Sequence, residues 1–212
     1  MATQSILKLI VDPPSLFDNK KRVVEEFYEL DKPALIENTV KFDIIKVADT
    51  VRTFFIVVDL PSLPGNMVWK NNIFEHLISK ITIMVGLDNI ELDHQYIIKM
   101  TNIDNYPQNL LLKGLSSKKL FKISKKNHKI ILPVPIQKII DDPNEIILVV
   151  PYSIKISIQL NPDFLSLYNL SMGHLKVSLS LVIVFYDIEE RNKLCEKYDL
   201  YIHKHKIHLE NI

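Results

Sequence analysis

The sequence contains very little cysteine, glycine or arginine. Cys195 is its single cysteine, so an internal disulfide and a cysteine-based zinc site are both excluded, and a reducing compartment is indicated. The four glycines lie far apart, which excludes a glycine-rich loop that cradles phosphate. The net charge is only +1, so the chain lacks the excess positive charge expected of a general nucleic-acid coat.

Long apolar runs are also missing. No run approaches the roughly 18 residues of a transmembrane helix, and the stretch Ile6–Val11 contains Lys8 and lacks the features of a signal peptide. We therefore expect neither a membrane span nor a secretion signal. With 212 residues, of which 47% are hydrophobic, the chain can bury one core, and a single folded domain is expected.

Strict alternation of apolar and polar residues predicts β-strands. It is clearest at Ile154–Leu160, His174–Tyr186 and Lys80–Val85. Further strands are predicted at Thr39–Val47, Val51–Leu60, Asn89–His94, His128–Pro135, Glu145–Val150 and Tyr198–His208. We expect Thr39–Val47 and Val51–Leu60 to pair through the turn at Ala48-Asp49-Thr50. Because prolines interrupt His128–Pro135, that strand is predicted at a sheet edge or at a bulge.

Helical signals are few. Spacing predicts helices at Lys20–Leu30, Asn71–Ile78 and Ile188–Lys197, the last with Asp187 as its N-cap. Eight or nine strands with short inserted helices predict an all-β protein, a single antiparallel eight-stranded jelly roll made of two sheets. We expect residues 1–35 to form an N-terminal arm and residues 36–212 to form the jelly-roll domain.

Three ordered runs resemble a known protein family. The run Trp69–Tyr96, the proline-containing run Lys129–Pro135 with its continuation to Leu160, and the run Leu181–Ile202 are similar to three motifs of the major capsid proteins of nucleocytoplasmic large DNA viruses. The third is the most specific. Five of its positions keep the family's spacing: Asp187, Glu190, Arg191, Tyr198 and Ile202.

The resemblance covers residues 38–210 and corresponds to the first of that family's two jelly rolls. It implies a structural virion protein with one roll, such as a penton (vertex) protein, or a minor or cement capsid protein. It implies assembly as a homo-oligomer, with five copies in a penton, beside the major capsid protein and other capsid proteins. It also implies location in the virion capsid after synthesis in the host cytoplasm, with no enzymatic activity and no cofactor.

Apolar strands suggest where subunits meet. The strand Phe54–Leu60 is apolar on both faces, and the outer face of the strand ending at Tyr186 turns apolar. The candidate subunit-interface residues are Phe54, Ile56, Val58, Val182, Val184, Tyr186 and Arg191. For Arg191 we expect an acidic partner, either Glu190 of a neighbouring copy or Asp93. The candidate arm-docking residues are Ile6, Leu7, Leu9, Ile10, Val11, Leu16 and Phe17, which dock either on their own domain or on a neighbour.

Catalytic and metal-binding signals are weak. His203, His205 and His208 have a spacing that could share a metal, but lysines crowd the run and a polar strand is favoured. Asp88, Glu91 and Asp93 suggest a calcium loop, but strand alternation favours a carboxylate-bearing outer face. The stretch Lys113–Lys129 carries seven lysines and no acid. It is interpreted as a solvated loop or hairpin, or as an electrostatic docking patch.

Two other functional classes remain open. A carbohydrate- or ligand-binding jelly roll would be expected to expose several aromatic side chains near its loops, whereas Trp69 is the one tryptophan of the sequence and lies in a capsid-like motif. A cupin-type metal enzyme would carry closely spaced histidines on a core strand after a glycine, and this pattern is missing. The sequence therefore favours the capsid subunit.

Overall fold

The structure is a computed structural model that describes residues 24–30, 34–86, 88–102, 106–135, 146–148, 153–170, 174–193 and 195–196. Its strands are β1 (Val24–Leu30), β2 (Ala34–Ile36), β3 (Thr39–Asp43), β4 (Thr50–Leu60), β5 (Ile78–Val85), β6 (Asp88–Leu92), β7 (His128–Pro135), β8 (Ile146–Ile147), β9 (Ile154–Leu160) and β10 (Lys176–Phe185). Its helices are α1 (Ile73–Leu77), α2 (His94–Thr101), α3 (Gln108–Leu111), α4 (Ser117–Ser124) and α5 (Pro162–Ser166), and residues 188–193 and 195–196 are also helical.

The strands form two antiparallel sheets. In the first sheet the order is β1-β10-β4-β7, and β8 pairs with the beginning of β4. In the second sheet the order is β2-β3-β9-β5-β6. Apart from the short strands β2 and β8, every connection between sequential described strands crosses from one sheet to the other except the β5–β6 hairpin, and this is the topology of a jelly roll. The predicted fold class is confirmed. Each sheet has five strands among the described residues, where four were expected, because the short strands β2 and β8 add one strand to each sheet.

One buried cluster joins the two sheets. In the first sheet Ile56 lies between Leu179 and Leu132, and all three side chains are fully buried. In the second sheet Ile158 lies between Val40 and Ile81, which are buried as well. These rows belong to one contiguous core, which is why the β-branched residues alternate so strictly along the strands.

The helix predicted at Lys20–Leu30 is wrong over its described part, because Val24–Leu30 is strand β1 and pairs with β10 along its whole length. The spacing of Val24, Phe27 and Leu30 fits a helix as well as a strand, and the long β10 supplies the pairing that decides between them. A strand of the first sheet therefore lies inside the arm predicted over residues 1–35. Strand β2 also begins inside that arm, at Ala34, and its residues 1–23 and 31–33 lie outside the described residues, so the two-part division stays a prediction.

The predicted pairing of Thr39–Val47 with Val51–Leu60 is also wrong. Strand β3 pairs with β2 and β9 in one sheet, and β4 pairs with β10 and β7 in the other. The linking loop crosses between the sheets: Ile44 donates its N–H to the Ile154 carbonyl of the second sheet, and Asp49 donates to the Val184 carbonyl of the first, at 2.9 and 3.0 Å. Backbone hydrogen bonds at both ends therefore hold this crossover.

Other local predictions hold. Strand β7 pairs with β4 alone among the described strands, so its two prolines lie at a sheet edge as expected. Strand β9 has the predicted bounds, and helix α1 lies inside the predicted Asn71–Ile78. The strand predicted at Tyr198–His208 lies outside the described residues. No helix in the described part of the chain is long and apolar enough to cross a membrane.

Candidate functional site

The loop between β3 and β4 meets the end of β10 at one corner of the sandwich. The carboxylate of Asp49 accepts a hydrogen bond from the Tyr186 backbone N–H at 2.8 Å and contacts Nε of Arg191 at 3.1 Å. The carbonyl of Asp49 also accepts from the Leu148 N–H at 2.8 Å. The Asp49 side chain is only 9% exposed, while that of Arg191 is 54% exposed. Asp49 therefore joins three segments through its main chain and its carboxylate.

The expected role of Asp187 is confirmed. Its side chain accepts from the Glu190 N–H at 2.9 Å, and its carbonyl accepts from the Arg191 N–H at 2.9 Å, as an N-cap requires. Within the chain, Arg191 pairs with Asp49 and not with the expected Asp93, whereas a contact with Glu190 of a neighbouring copy stays a prediction. No sequence spacing pointed to Asp49, because 137 residues separate it from Tyr186. The one available signal was an isolated acid between two apolar strands.

Apolar side chains are exposed around this corner. Ile45 and Val47, in the crossover loop, are 49% and 38% exposed, and Ile188, on the first turn of the helical segment, is 75% exposed. The hydrogen bond that the Tyr186 N–H donates to the Asp49 carboxylate holds the crossover loop beside the segment that carries Ile188. We call Ile45, Val47 and Ile188 the corner patch. The sequence analysis missed all three, because alternation cannot tell an exposed apolar loop residue from a buried one.

The predicted interface residues of the strands are not on the surface. The fully or almost fully buried ones are Phe54, Ile56, Val58, Val182 and Val184. The second face of β4 is buried as well, including Phe55 and Val57. Helix α3 packs against β7, and the Tyr106 hydroxyl donates to the Ile131 carbonyl at 3.1 Å. The five residues belong to the core of a single chain and offer no surface to a second copy, which corrects that prediction.

The remaining predicted interface residues keep some exposure: Tyr186 is half-buried and Arg191 is exposed. All seven arm-docking candidates lie outside the described residues, and so do His203, His205 and His208. Within the described ranges, no group of three or more His, Cys, Asp or Glu side chains could hold a metal ion.

Two of the three carboxylates of the calcium alternative, Glu91 and Asp93, have other partners. Glu91 pairs with Lys80 across the neighbouring strands β6 and β5. Asp93 follows the end of β6 and caps helix α2, accepting from the Tyr96 N–H at 2.9 Å. These two groups therefore serve an ion pair and a helix cap.

The lysine-rich stretch forms a helix where a loop or hairpin was expected. Helix α4 buries Leu120, Ile123 and Ser124. Two contacts fix it to the loop over residues 61–72: Ser124 Oγ accepts from the Trp69 N–H at 2.9 Å, and Lys125 Nζ donates to the carbonyls of that loop. These carbonyl acceptors are Leu63, Gly65 and Met67, at 3.2, 2.6 and 2.9 Å. The outer face of α4 remains exposed.

Burial shifts the pKa of three described groups, Tyr106, Tyr168 and His76, and it raises that of Tyr168. Burial raises the pKa of Tyr106 far above the usual value of a phenol, and its hydroxyl donates a hydrogen bond to the Ile131 carbonyl. Burial, and next the positive charge of Lys70, lower the pKa of His76, whose ring stacks on Phe164 with centroids 6.1 Å apart. Tyr106 therefore packs in the core and His76 packs against an aromatic ring.

Comparison with solved structures places this fold among viral capsid proteins. No protein-family model matches the chain, and no curated protein sequence matches it. A chain of a quasi-atomic model of the PBCV-1 virus capsid superposes with a TM-score of 0.62 at 12% identity, over 85% of this chain and 46% of the capsid chain.

A second similar structure is PBCV-1 VP54, a crystal structure fitted into a cryo-EM reconstruction of the virophage Sputnik. Its TM-score is 0.58 at 11% identity, again over 85% of this chain and 46% of the other. This chain therefore spans less than half the length of the capsid chains that it matches. The protein has the jelly-roll fold of viral capsid proteins and resembles them over most of its length.

Proposed function

We propose that this protein is a structural capsid subunit that acts in the virion by association with other subunits. The observation that carries the proposal is the superposition on PBCV-1 capsid chains over 85% of this chain. The three ordered sequence motifs support it independently, since they were recognised from residues and not from the fold. No catalytic role is proposed.

We further propose the vertex as its place, with five copies in a ring beside the major capsid protein. Support for this finer role comes from the resemblance to single-jelly-roll capsid proteins. A closed ring requires heterologous contacts, in which one surface of a subunit fits a different surface of the next. The strand residues first considered for that contact are buried, so the contact has to use other surfaces.

We propose the corner patch as one of these surfaces. A stable contact buries about 1,000 Å² or more, which three side chains cannot supply alone. Strand β1 begins at Val24, which pairs with Phe185 next to the corner. The aliphatic arm residues Ile6–Val11 precede it in sequence, and their attachment point is therefore close to the corner patch. The proposed arrangement is that the arm of one subunit covers the corner patch of its neighbour.

The test is the oligomeric state of the full chain by native mass spectrometry and sedimentation. Ile188→Ser should abolish the oligomer while leaving the melting temperature of the monomer unchanged, because Ile188 is 75% exposed. Leu167→Ser is the matched control: Leu167 is 58% exposed and follows α5 at the opposite end of the sandwich. Equal effects of the two variants, or a wild-type chain that stays monomeric, would contradict the proposed patch.

The vertex role is tested separately by reconstruction of assembled particles. Coexpression with the major capsid protein of the same virus should give density for this chain at the five-fold positions. Density between capsomers at other positions would instead assign the minor or cement role. A chain that never enters the particles would overturn the capsid proposal itself.

A further inference from the structure

The outer face of helix α4 is a compact basic surface. Three lysines of the helix, Lys118, Lys119 and Lys122, and Lys126 just beyond its end are exposed and have no partner among the described residues. Phe121 lies among them and is 42% exposed. The adjoining loop over residues 61–72 contains no acidic residue and adds the exposed Lys70. Positive charge is therefore concentrated here although the whole chain carries only +1.

The helix is held rigidly under this surface. Lys125 keeps its positive charge, but its Nζ donates to three carbonyls of the neighbouring loop and is not available to a ligand. This Nζ lies 5.0 Å from the centroid of the Phe121 ring. The buried side of α4 packs on the core through Leu120 and Ile123. Phe121 is thus presented outward from a fixed helix. An exposed aromatic ring surrounded by lysines is typical of a surface that meets an interface between water and lipid.

We propose that this surface, Lys118, Lys119, Phe121, Lys122 and Lys126 with Lys70, binds the headgroups of an anionic phospholipid membrane. Clusters of four to eight basic residues on a helix are attracted to anionic lipids without directional hydrogen bonds, which suits the compact charge of lysine. The ring of Phe121 then enters the boundary between headgroups and acyl chains.

Other occupants fit these residues less well. Protein–protein contacts are enriched in arginine and depleted in lysine, and this surface contains no arginine. The exposed face is the outside of a single helix, so it is convex and offers no groove for an acidic peptide. Single-stranded nucleic acid is usually held by several stacking aromatic rings, and Phe121 is the one exposed aromatic side chain on the helix.

The proposal does not depend on the capsid function, and its test uses the full chain with vesicles. Binding is measured by co-sedimentation with vesicles of equal parts phosphatidylcholine and phosphatidylserine, against vesicles of phosphatidylcholine alone. The chain should bind the mixed vesicles only, and added salt should weaken binding because the attraction is screened. Equal binding to both vesicles, or binding to neither, would overturn the proposal.

Matched variants locate the surface. The triple variant K118Q, K119Q, K122Q should weaken binding on the order of a hundredfold, since each lysine near an anionic surface contributes roughly a factor of five. Replacing three exposed lysines elsewhere, Lys46, Lys99 and Lys176, removes the same charge and should have a much smaller effect. An equal loss in both triple variants would show that net charge alone acts and would refute the assigned surface.

Phe121→Ser tests the apolar contact without a change of charge. It should weaken vesicle binding roughly tenfold and leave the melting temperature unchanged, because the ring is partly exposed. A further arm replaces vesicles with duplex DNA or with a polyglutamate peptide. Tighter binding to either of these than to the mixed vesicles would reject the lipid surface in favour of that polyanion.

Discussion

Removal of the buried Asp49 carboxylate should be one of the most costly single changes to a charged residue of this protein. In Asp49→Ala the Tyr186 N–H loses its acceptor, and a backbone donor left without a partner in a half-buried position costs about 1–3 kcal/mol. The ion pair with Arg191 is lost as well, but that side chain is 54% exposed, so this part contributes at most about 1 kcal/mol. The expected total is about 1–4 kcal/mol.

The two contributions can be separated by a second variant. In Asp49→Asn the amide oxygen still accepts from the Tyr186 N–H, so the loss is confined to the charge and should be about 0.5–1 kcal/mol. Arg191→Lys should cost no more than that. For a chain of this size each kcal/mol lowers the melting temperature by roughly 2–4 °C, so thermal and urea unfolding resolve Asp49→Ala from Asp49→Asn.

Asp43 provides the matched control, because it also forms an ion pair but is 80% exposed and lies 3.5 Å from Lys155. Asp43→Ala should change stability by less than about 0.5 kcal/mol. The reasoning is refuted if Asp49→Ala is no more destabilising than Asp43→Ala. It is also refuted if Asp49→Asn is as damaging as Asp49→Ala, because the backbone acceptor would then have no special importance.

Three further changes test the core, the buried phenol and the anchored lysine. Phe54→Ala should lower the free energy of unfolding by about 3–5 kcal/mol, because Phe54 is a core residue. In urea unfolding this loss should not depend on protein concentration, and a loss that does depend on it would show that Phe54 lies in a subunit interface. Burial raises the pKa of Tyr106, so above about pH 10 the folded protein keeps the phenol proton that the unfolded chain loses, and the free energy of unfolding should fall as the pH rises. In Tyr106→Phe this fall should be weaker, and an unchanged dependence of stability on pH would contradict the assignment. Lys125→Met removes the side chain that binds the loop over residues 61–72, and calorimetry should show a loss of about 1–2 kcal/mol in stability. Lys126→Met should leave stability unchanged, and equal effects of the two variants would refute the anchoring role of Lys125.

Local features of the fold could be read directly from the sequence. Alternation located Ile154–Leu160 with its observed bounds, and the prolines of β7 marked an edge strand. Asp187 was recognised as a helix cap because a cap acts on the residues that immediately follow it. The jelly-roll fold class followed from the number and spacing of such strands together with the family resemblance.

Features that depend on distant partners were missed or misassigned. Val24–Leu30 fits either a helix or a strand, and only its pairing with β10 settles the matter. The partner of Arg191 is in the β3–β4 loop, which no spacing rule connects to the end of β10. Apolar residues on both faces of β4 suggested a subunit contact, but the chain itself covers both faces.

The sequence by itself therefore determined the strand periodicity, the local caps and the class of fold, because these depend on neighbours a few residues away. Only the tertiary structure decided which apolar residues are core and which form the corner patch, and that the lysines of α4 share one exposed face. The physical reason is that burial is a property of packing between segments distant in sequence. The same leucine, isoleucine or lysine has a different role when another strand or loop covers it.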